Sequence, residues 1–262
     1  MIVDGGAQLC YKRGTMHHPG SHKSHRLQDG DTASIQAFFD AQWTLYQKLM
    51  RNDYLFHTEV YAVLHRFLKS HFTKPYSFLD LGCGDAAFSS KALHGTLVSH
   101  YEGVDLSEVA LALARKNMAS LTTEKKFTEG NFHEDIAKRK TPADAILIGL
   151  SLHHLHTDGK ADFMKRCHPL LRPGGVFFVF DPFCAEGETR DAYVKRWLVH
   201  IDKTWKDLTP AEIILVRDHI LSCDFPESVS TEAGFAKKAG FARTETLWKS
   251  PDGFYGLLAF IA

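Results

Sequence analysis

The hydrophobic pattern changes period along the chain, and the changes lay out its elements. Between Ile35 and about Ser70 apolar residues recur every three or four positions, first as Phe38, Phe39, Trp43, Tyr46, Leu49 and Met50, then as Tyr61, Leu64, Phe67 and Leu68. That spacing gathers side chains on one helix face and predicts two amphipathic helices. Beyond them short apolar runs alternate with helical stretches. Ser77–Leu81, His100–Asp105, Lys126–Gly130, Ala143–Leu150 and Val176–Asp181 read as strands, with helices around Asp85–Leu93, Ser107–Met118 and Asp158–Leu170. Ala145-Ile146-Leu147-Ile148 and Val176-Phe177-Phe178-Val179-Phe180 show no polar alternation. Strands of that kind are covered on both faces, as in a parallel sheet between helices. The pattern predicts a doubly wound α/β fold.

After the fifth strand the alternation stops. Tyr193, Trp197, Ile201 and Trp205 fall four apart, a stripe on one helix face that suits core packing first and a substrate pocket second. Thr209-Pro210-Ala211-Glu212 is a capping box with proline at the first helical position, opening a helix that carries Ile213, Ile214, Val216 and Ile220. A helical cap inserted over residues 184–228 is expected, matched by a helical lid over residues 32–72 ahead of the first strand. A helix near Thr231–Ala239 follows, then strands near Arg243–Trp248 and Gly253–Ile261 joined at Pro251-Asp252-Gly253.

Residues 1–31 hold Gly5-Gly6, Pro19 and the histidines His17, His18, His22 and His25, with almost no apolar periodicity. They read as a disordered leader, leaving residues 32–262 as one domain. Lys+Arg and Asp+Glu both total 31, so the chain lacks the charge excess that would point to nucleic acid or an anionic membrane. There is neither an apolar stretch of about 18 residues nor a signal-peptide core. The scattered cysteines Cys10, Cys83, Cys167, Cys184 and Cys223 have no CxxC spacing, so a reduced, cytoplasmic protein is expected. No metal site is expected, because neither the leader histidines nor His133-Glu134-Asp135 have a spaced set of partner ligands.

Phe78-Leu79-Asp80-Leu81-Gly82-Cys83-Gly84-Asp85 is a strand, a glycine turn and a helix start. Gly82 and Gly84 permit a tight turn and let a ligand approach the backbone. Asp105 closes the second strand, and its acceptor-only carboxylate suits the hydroxyls of a ribose. These features point to an adenosine-type ligand and also satisfy a GxGxxA dinucleotide fingerprint through Ala87. Asp85, however, stands where a pyrophosphate would sit; it would oppose a diphosphate but tolerate an ammonium group. The long segment before the first strand, and Leu170-Leu171-Arg172-Pro173-Gly174-Gly175 ahead of the fifth, likewise argue against a dinucleotide.

At this point the chain resembles the class I S-adenosylmethionine-dependent methyltransferases. The resemblance rests on DLGCG, VDLS at 104–107, GNFHED at 130–135, LIGLSLHHLH at 147–156 and LLRPGG at 170–175, in that order. It implies a mostly parallel seven-stranded sheet with the last strand antiparallel, and S-adenosyl-L-methionine as cofactor. It also implies that Gly82, Cys83 and Gly84 line the methionine end, with Asp80 below. Asp105 would hold the ribose, Leu106 would pack on the adenine bordered by Asn131 and Phe132, and Tyr46 would be a lid tyrosine. Ala86 stands where the fullest glycine motif has a third glycine, a change expected to matter little.

His153 and His154 follow the fourth strand, at the carboxyl edge where α/β sites form. An imidazole suits removal of a proton from an oxygen or nitrogen acceptor, so one of them is the candidate base; a purely structural histidine is equally compatible. The balanced charge favours a small-molecule acceptor over RNA. Three other readings stay open. One is a carboxy-S-adenosylmethionine synthase-like protein, although Lys203-Thr204-Trp205-Lys206 lacks the arginine those enzymes use to clamp a carboxylate. The others are a non-catalytic S-adenosylmethionine-binding protein and a nicotinamide dehydrogenase.

Overall fold

A computed structural model describes residues 45–262. The leader and the predicted helical positions Phe38, Phe39 and Trp43 lie outside the described residues. The described residues open in a helical segment over 45–51, followed by α1 (His57–His71), β1 (Tyr76–Leu81), α2 (Ala87–Leu93), β2 (Val98–Asp105), α3 (Glu108–Asn117) and β3 (Glu124–Glu129). It continues through α4 (Phe132–Lys138), β4 (Ala143–Gly149), α5 (Thr157–Cys167) and β5 (Leu171–Cys184). Two inserted helices, α6 (Arg190–Thr204) and α7 (Pro210–Cys223), precede β6 (Glu227–Ser228), α8 (Val229–Ala239), β7 (Arg243–Lys249) and β8 (Tyr255–Ile261).

The main sheet runs β3-β2-β1-β4-β5-β8-β7, with β6 attached beside β5. Pairs among β1 to β5 are parallel, and β8 lies antiparallel between β5 and β7. The expected α/β sheet with its last strand reversed is therefore observed. The two-residue β6, which pairs with Phe183 and Cys184, is too short to leave a period in the sequence.

Strand residues divide by parity between two cores. Phe78, Ala145, Leu147, Val176, Phe178 and Phe180 pack on the side of α1, α2 and the inserted helices. Leu79, Leu81, Ile146, Ile148, Phe177 and Val179 pack against α4, α5 and α8. Each such buried aliphatic or aromatic side chain contributes about 1.5–3 kcal/mol, which makes the central strands the rigid frame for the loops at their ends. Among the described residues no helix is long and apolar enough to cross a membrane.

Two boundaries move. Helix α2 begins at Ala87 rather than Asp85, because Ala86 has φ 52° and interrupts the helix. The expected linker Arg172-Pro173-Gly174-Gly175 lies within β5, where the register on β4 jumps from Ala143↔Leu171 to Ala145↔Val176. The extra residues form a bulge that requires a bare backbone. A Cβ on Gly175 would sit 2.8 Å from the Arg172 carbonyl oxygen and 2.9 Å from that of Asp144. Neither backbone atom can yield without unpairing β4 from β5. Gly175→Ala should therefore destabilise the fold by about 1–3 kcal/mol in chemical denaturation, the scale of overpacking. Full retention of stability would show that the bulge can relax.

Candidate functional site

The turn after β1 runs through left-handed backbone. Gly82 and Gly84 have φ 64° and 55°. Ala86 shares the left-handed region, which costs a non-glycine residue roughly 1–2 kcal/mol, so its departure from glycine carries strain that sequence reasoning did not foresee. The turn is tied to β2 by Asp105, whose Oδ2 accepts the Gly84 N–H at 2.7 Å while Oδ1 accepts the Ser107 N–H at 3.0 Å. The helix cap itself is Ser107, which accepts from the Ala110 N–H. Burial raises the Asp105 pKa, and the backbone donors of Ser107 and Gly84 oppose that rise. Beneath the turn Asp80 accepts from the Tyr101 hydroxyl at 3.0 Å, and burial pushes its carboxyl up to about 6.

A cavity of about 440 Å³, open solvent included, lies over this turn. Tyr46, Leu55, His57 and Tyr61 form one side; Cys83, Asp85 and Ala86 form another, with Gly149 and Leu150 beyond. Burial first, and Asp85 next, hold the Tyr46 hydroxyl well above its usual pKa. Two of the expected residues, Tyr46 and Cys83, thus meet in this lining. Leu106, Asn131 and Phe132 stand at the ends of β2 and β3, outside it. The Asn131 side chain caps α4, accepting from the His133 N–H at 2.8 Å, and Phe132 is buried edge-on to Phe163. His57 is buried among Tyr61, Phe88 and Phe180, and its Nδ1 has no hydrogen-bond partner. An orphaned polar atom in the wall fits a cavity that takes a polar ligand.

A second cavity adjoins the first through Leu55 and Leu150, which line both. Leu150 has φ 51°, an outlier for a bulky residue, and its N–H donates to the Phe180 carbonyl at 2.7 Å. The other walls include Pro182, Trp197, Trp205, Val216, Ile220 and Tyr255, with His153, His219 and Asp224 as polar members. All four residues of the predicted stripe are buried; Trp197 and Trp205 reach the cavity, while Tyr193 and Ile201 do not line it. The inserted helices are fastened to the segments before β1. Lys48 pairs with Glu212 at 2.8 Å, and Tyr54 stacks on Trp205 with centroids 5.1 Å apart.

His153 Nδ1 lies 2.7 Å from Asp181 Oδ1 at the end of β5. With Nδ1 donating to the carboxylate, the lone pair is left on Nε2, 3.5 Å from Asp224 Oδ1. His154 Nδ1 faces the Cys223 carbonyl at 3.2 Å and Asp224 Oδ1 at 3.5 Å. Burial lowers the His153 pKa to about 4 and takes His154 well below its usual value, so both rings are neutral at pH 7. For Asp224 burial acts upward, but the imidazoles around it, His153 foremost, bring it down to about 2. Behind Asp181 the fully buried Lys160 donates to the Phe225 carbonyl and faces the acidic groups of Glu232 and Asp181. His57, Asp181, His219 and Asp224 were not singled out from the sequence. Only Asp181 had a signal there, as a lone carboxylate ending an apolar strand.

Residues 78–175 match the family model of a methyltransferase domain. The carboxy-S-adenosyl-L-methionine synthase of Campylobacter curvus is 26% identical over 70% of this chain and 76% of its own length. The demethylmenaquinone methyltransferase of Leptospira interrogans is 26% identical over 56% of this chain and 57% of its own. Among solved structures, the cyclopropane synthase MmaA2 of Mycobacterium tuberculosis shares the fold with a TM-score of 0.52 and 22% identity, over 71% of this chain and 62% of that one. The chain thus spans between about half and three quarters of these relatives' length.

His57 yields a pH test. Burial lowers its pKa to about 3, below the usual 6.5 of the unfolded chain. The unfolded state therefore binds more protons between these values, and the stability contributed by neutral His57 is complete above about pH 6.5 and lost as pH falls toward 3. The melting temperature should drop across that window, and His57→Phe should make the drop shallower. An identical slope in the variant would show that His57 is not held neutral.

Proposed function

We propose that the chain, whose residues 78–175 match the family model of a methyltransferase domain, is a class I S-adenosylmethionine-dependent methyltransferase that transfers the cofactor's methyl group to a small, largely apolar acceptor in the second cavity. The observation that carries this reading is the pair of cavities at the carboxyl edge of the sheet, one over the glycine turn and one under α6 and α7, sharing Leu55 and Leu150. In-line methyl transfer needs two ligands meeting at one point. In this reading Gly82, Cys83 and Gly84 take the methionine end above Asp80, and Asp105 takes the ribose. Leu106 packs on the adenine, Asn131 and Phe132 border it, and Tyr46 closes over the cofactor as part of a lid. Helices α6 and α7 serve as a cap.

The second cavity is walled by Trp197, Trp205, Tyr255 and aliphatic side chains, which favours a ring-bearing acceptor with a single polar group directed to His153. The relative named for demethylmenaquinone points to the same kind of molecule. During transfer the acceptor oxygen forms the new bond to the methyl carbon, and the carbon–sulfur electron pair leaves with S-adenosylhomocysteine. The acceptor's proton passes to the His153 Nε2 lone pair, with Asp181 holding the ring and stabilising the imidazolium. His154 packs beside it, ring centroids 4.1 Å apart. Carboxylate transfer is disfavoured, since among the described residues neither cavity lining contains an arginine or lysine to clamp a carboxylate.

Titration calorimetry should detect S-adenosylhomocysteine binding and none of NAD. Asp105→Ala should weaken binding by roughly 1–3 kcal/mol, the scale of charged hydrogen bonds lost. Preference for NAD would overturn the cofactor assignment, and unchanged affinity in folded Asp105→Ala would remove the ribose role. On an identified hydroxyl acceptor, His153→Ala should slow turnover about a hundredfold or more with little change in cofactor affinity. A smaller loss than in His154→Ala would move the base to His154.

A further inference from the structure

We infer that His153, His154 and Asp224 form a site for one divalent transition-metal ion in the wall of the second cavity, with His219 alongside. One ligand atom from each of the first three lies within 4.8 Å of the others. His153 Nε2 stands 3.5 Å from Asp224 Oδ1, and His219 Nε2 stands 3.3 Å from it. These contacts lack hydrogen-bond geometry. Asp224 Oδ1, His154 Nε2 and His219 Nε2 are all buried without a hydrogen-bond partner. A fold seldom collects orphaned polar atoms in one place unless something else satisfies them.

The spacing suits an ion. Ligand atoms 2.0–2.2 Å from a tetrahedral centre lie about 3.3–3.6 Å from one another. The outer contacts suit it too. A metal-bound histidine normally donates its other N–H to a carboxylate or a backbone carbonyl. His153 Nδ1 meets Asp181 at 2.7 Å and His154 Nδ1 meets the Cys223 carbonyl at 3.2 Å, which leaves the second nitrogen of each ring for the ion. Two neutral imidazoles and one carboxylate select zinc, iron, manganese or cobalt over magnesium or calcium, which prefer oxygen ligands. Three protein ligands leave positions open toward the cavity, where an acceptor oxygen would bind. With the ion bound, His153 Nε2 would be a ligand and an acceptor oxygen held by the ion would lose its proton to solvent; without the ion the proton would pass to the His153 lone pair. The ion's task rests on the methyl-transfer reading, while its binding does not.

The test is a titration of the chelator-treated full chain with cobalt(II), followed by visible absorption, with zinc content measured in parallel. The expected result is saturation at one ion per chain with a ligand-field band. Asp224→Asn and His154→Ala should each weaken binding at least tenfold, with folding checked by circular dichroism, so that one variant serves if the other misfolds. Joint replacement of His17, His18, His22 and His25 by alanine should leave this binding intact. No cobalt uptake by the folded chain would overturn the proposal. So would uptake that survives either cluster variant or disappears with the leader histidines. Calorimetry with S-adenosylhomocysteine on the same samples separates the readings: its failure beside intact cobalt binding sinks the methyltransferase and leaves the metal site standing.

Discussion

The hydrogen bond from the Gly84 N–H to the Asp105 carboxylate holds the working edge of this molecule together. It joins the turn after β1 to the end of β2, and so sets where the left-handed backbone at Gly82 and Gly84 lies. The rest of the edge follows from topology. Parallel strands joined by right-handed crossovers bring all their carboxyl ends to one side. Leu150 after β4 and Asp181 near the end of β5 are thereby brought to the edge that the glycine turn occupies. Both cavities open there for that reason.

Charge is buried along the same edge. Asp181, Lys160, Glu232 and Asp224 are nearly inaccessible to water, although desolvation of each is costly. Burial lifts the Glu232 carboxyl to about 8 and opposes the charge on Lys160, and these groups offset each other's penalty. The arrangement contributes orientation more than stability: it fixes the His153 ring through Asp181. The strain at Leu150 belongs with it, an unfavourable backbone retained where the two cavities touch.

The sheet was legible from the sequence because its period is coarse and its strands are apolar on both faces. Phe177 and Phe178 go to opposite cores, so an unbroken apolar run declared a central strand without any knowledge of its neighbours. The capping box at Thr209 and Glu212 was equally readable, since its chemistry is local. The bulge at Gly174-Gly175 was not, because extended backbone can pair while looking like a linker. The glycine turn and Asp105 stood out through spacing. Asp224 and His219 did not, since a buried carboxylate among imidazoles is made by packing the end of α7 against the loop after β4, through contacts between residues 65 or more positions apart. Phe132 and Asn131 were visible as positions, but their present partners, an aromatic core and a helix cap, are matters of tertiary environment.

The Lys48–Glu212 pair and the Tyr54–Trp205 stack join the segments that cover the two cavities. Two contacts therefore tie the residues before α1 to the inserted helices. Glu212 also closes the capping box of α7, so releasing Lys48 disturbs the helix start that carries Val216 and Ile220 over the second cavity. The walls of the two cavities are thus tied to one another through the start of α7.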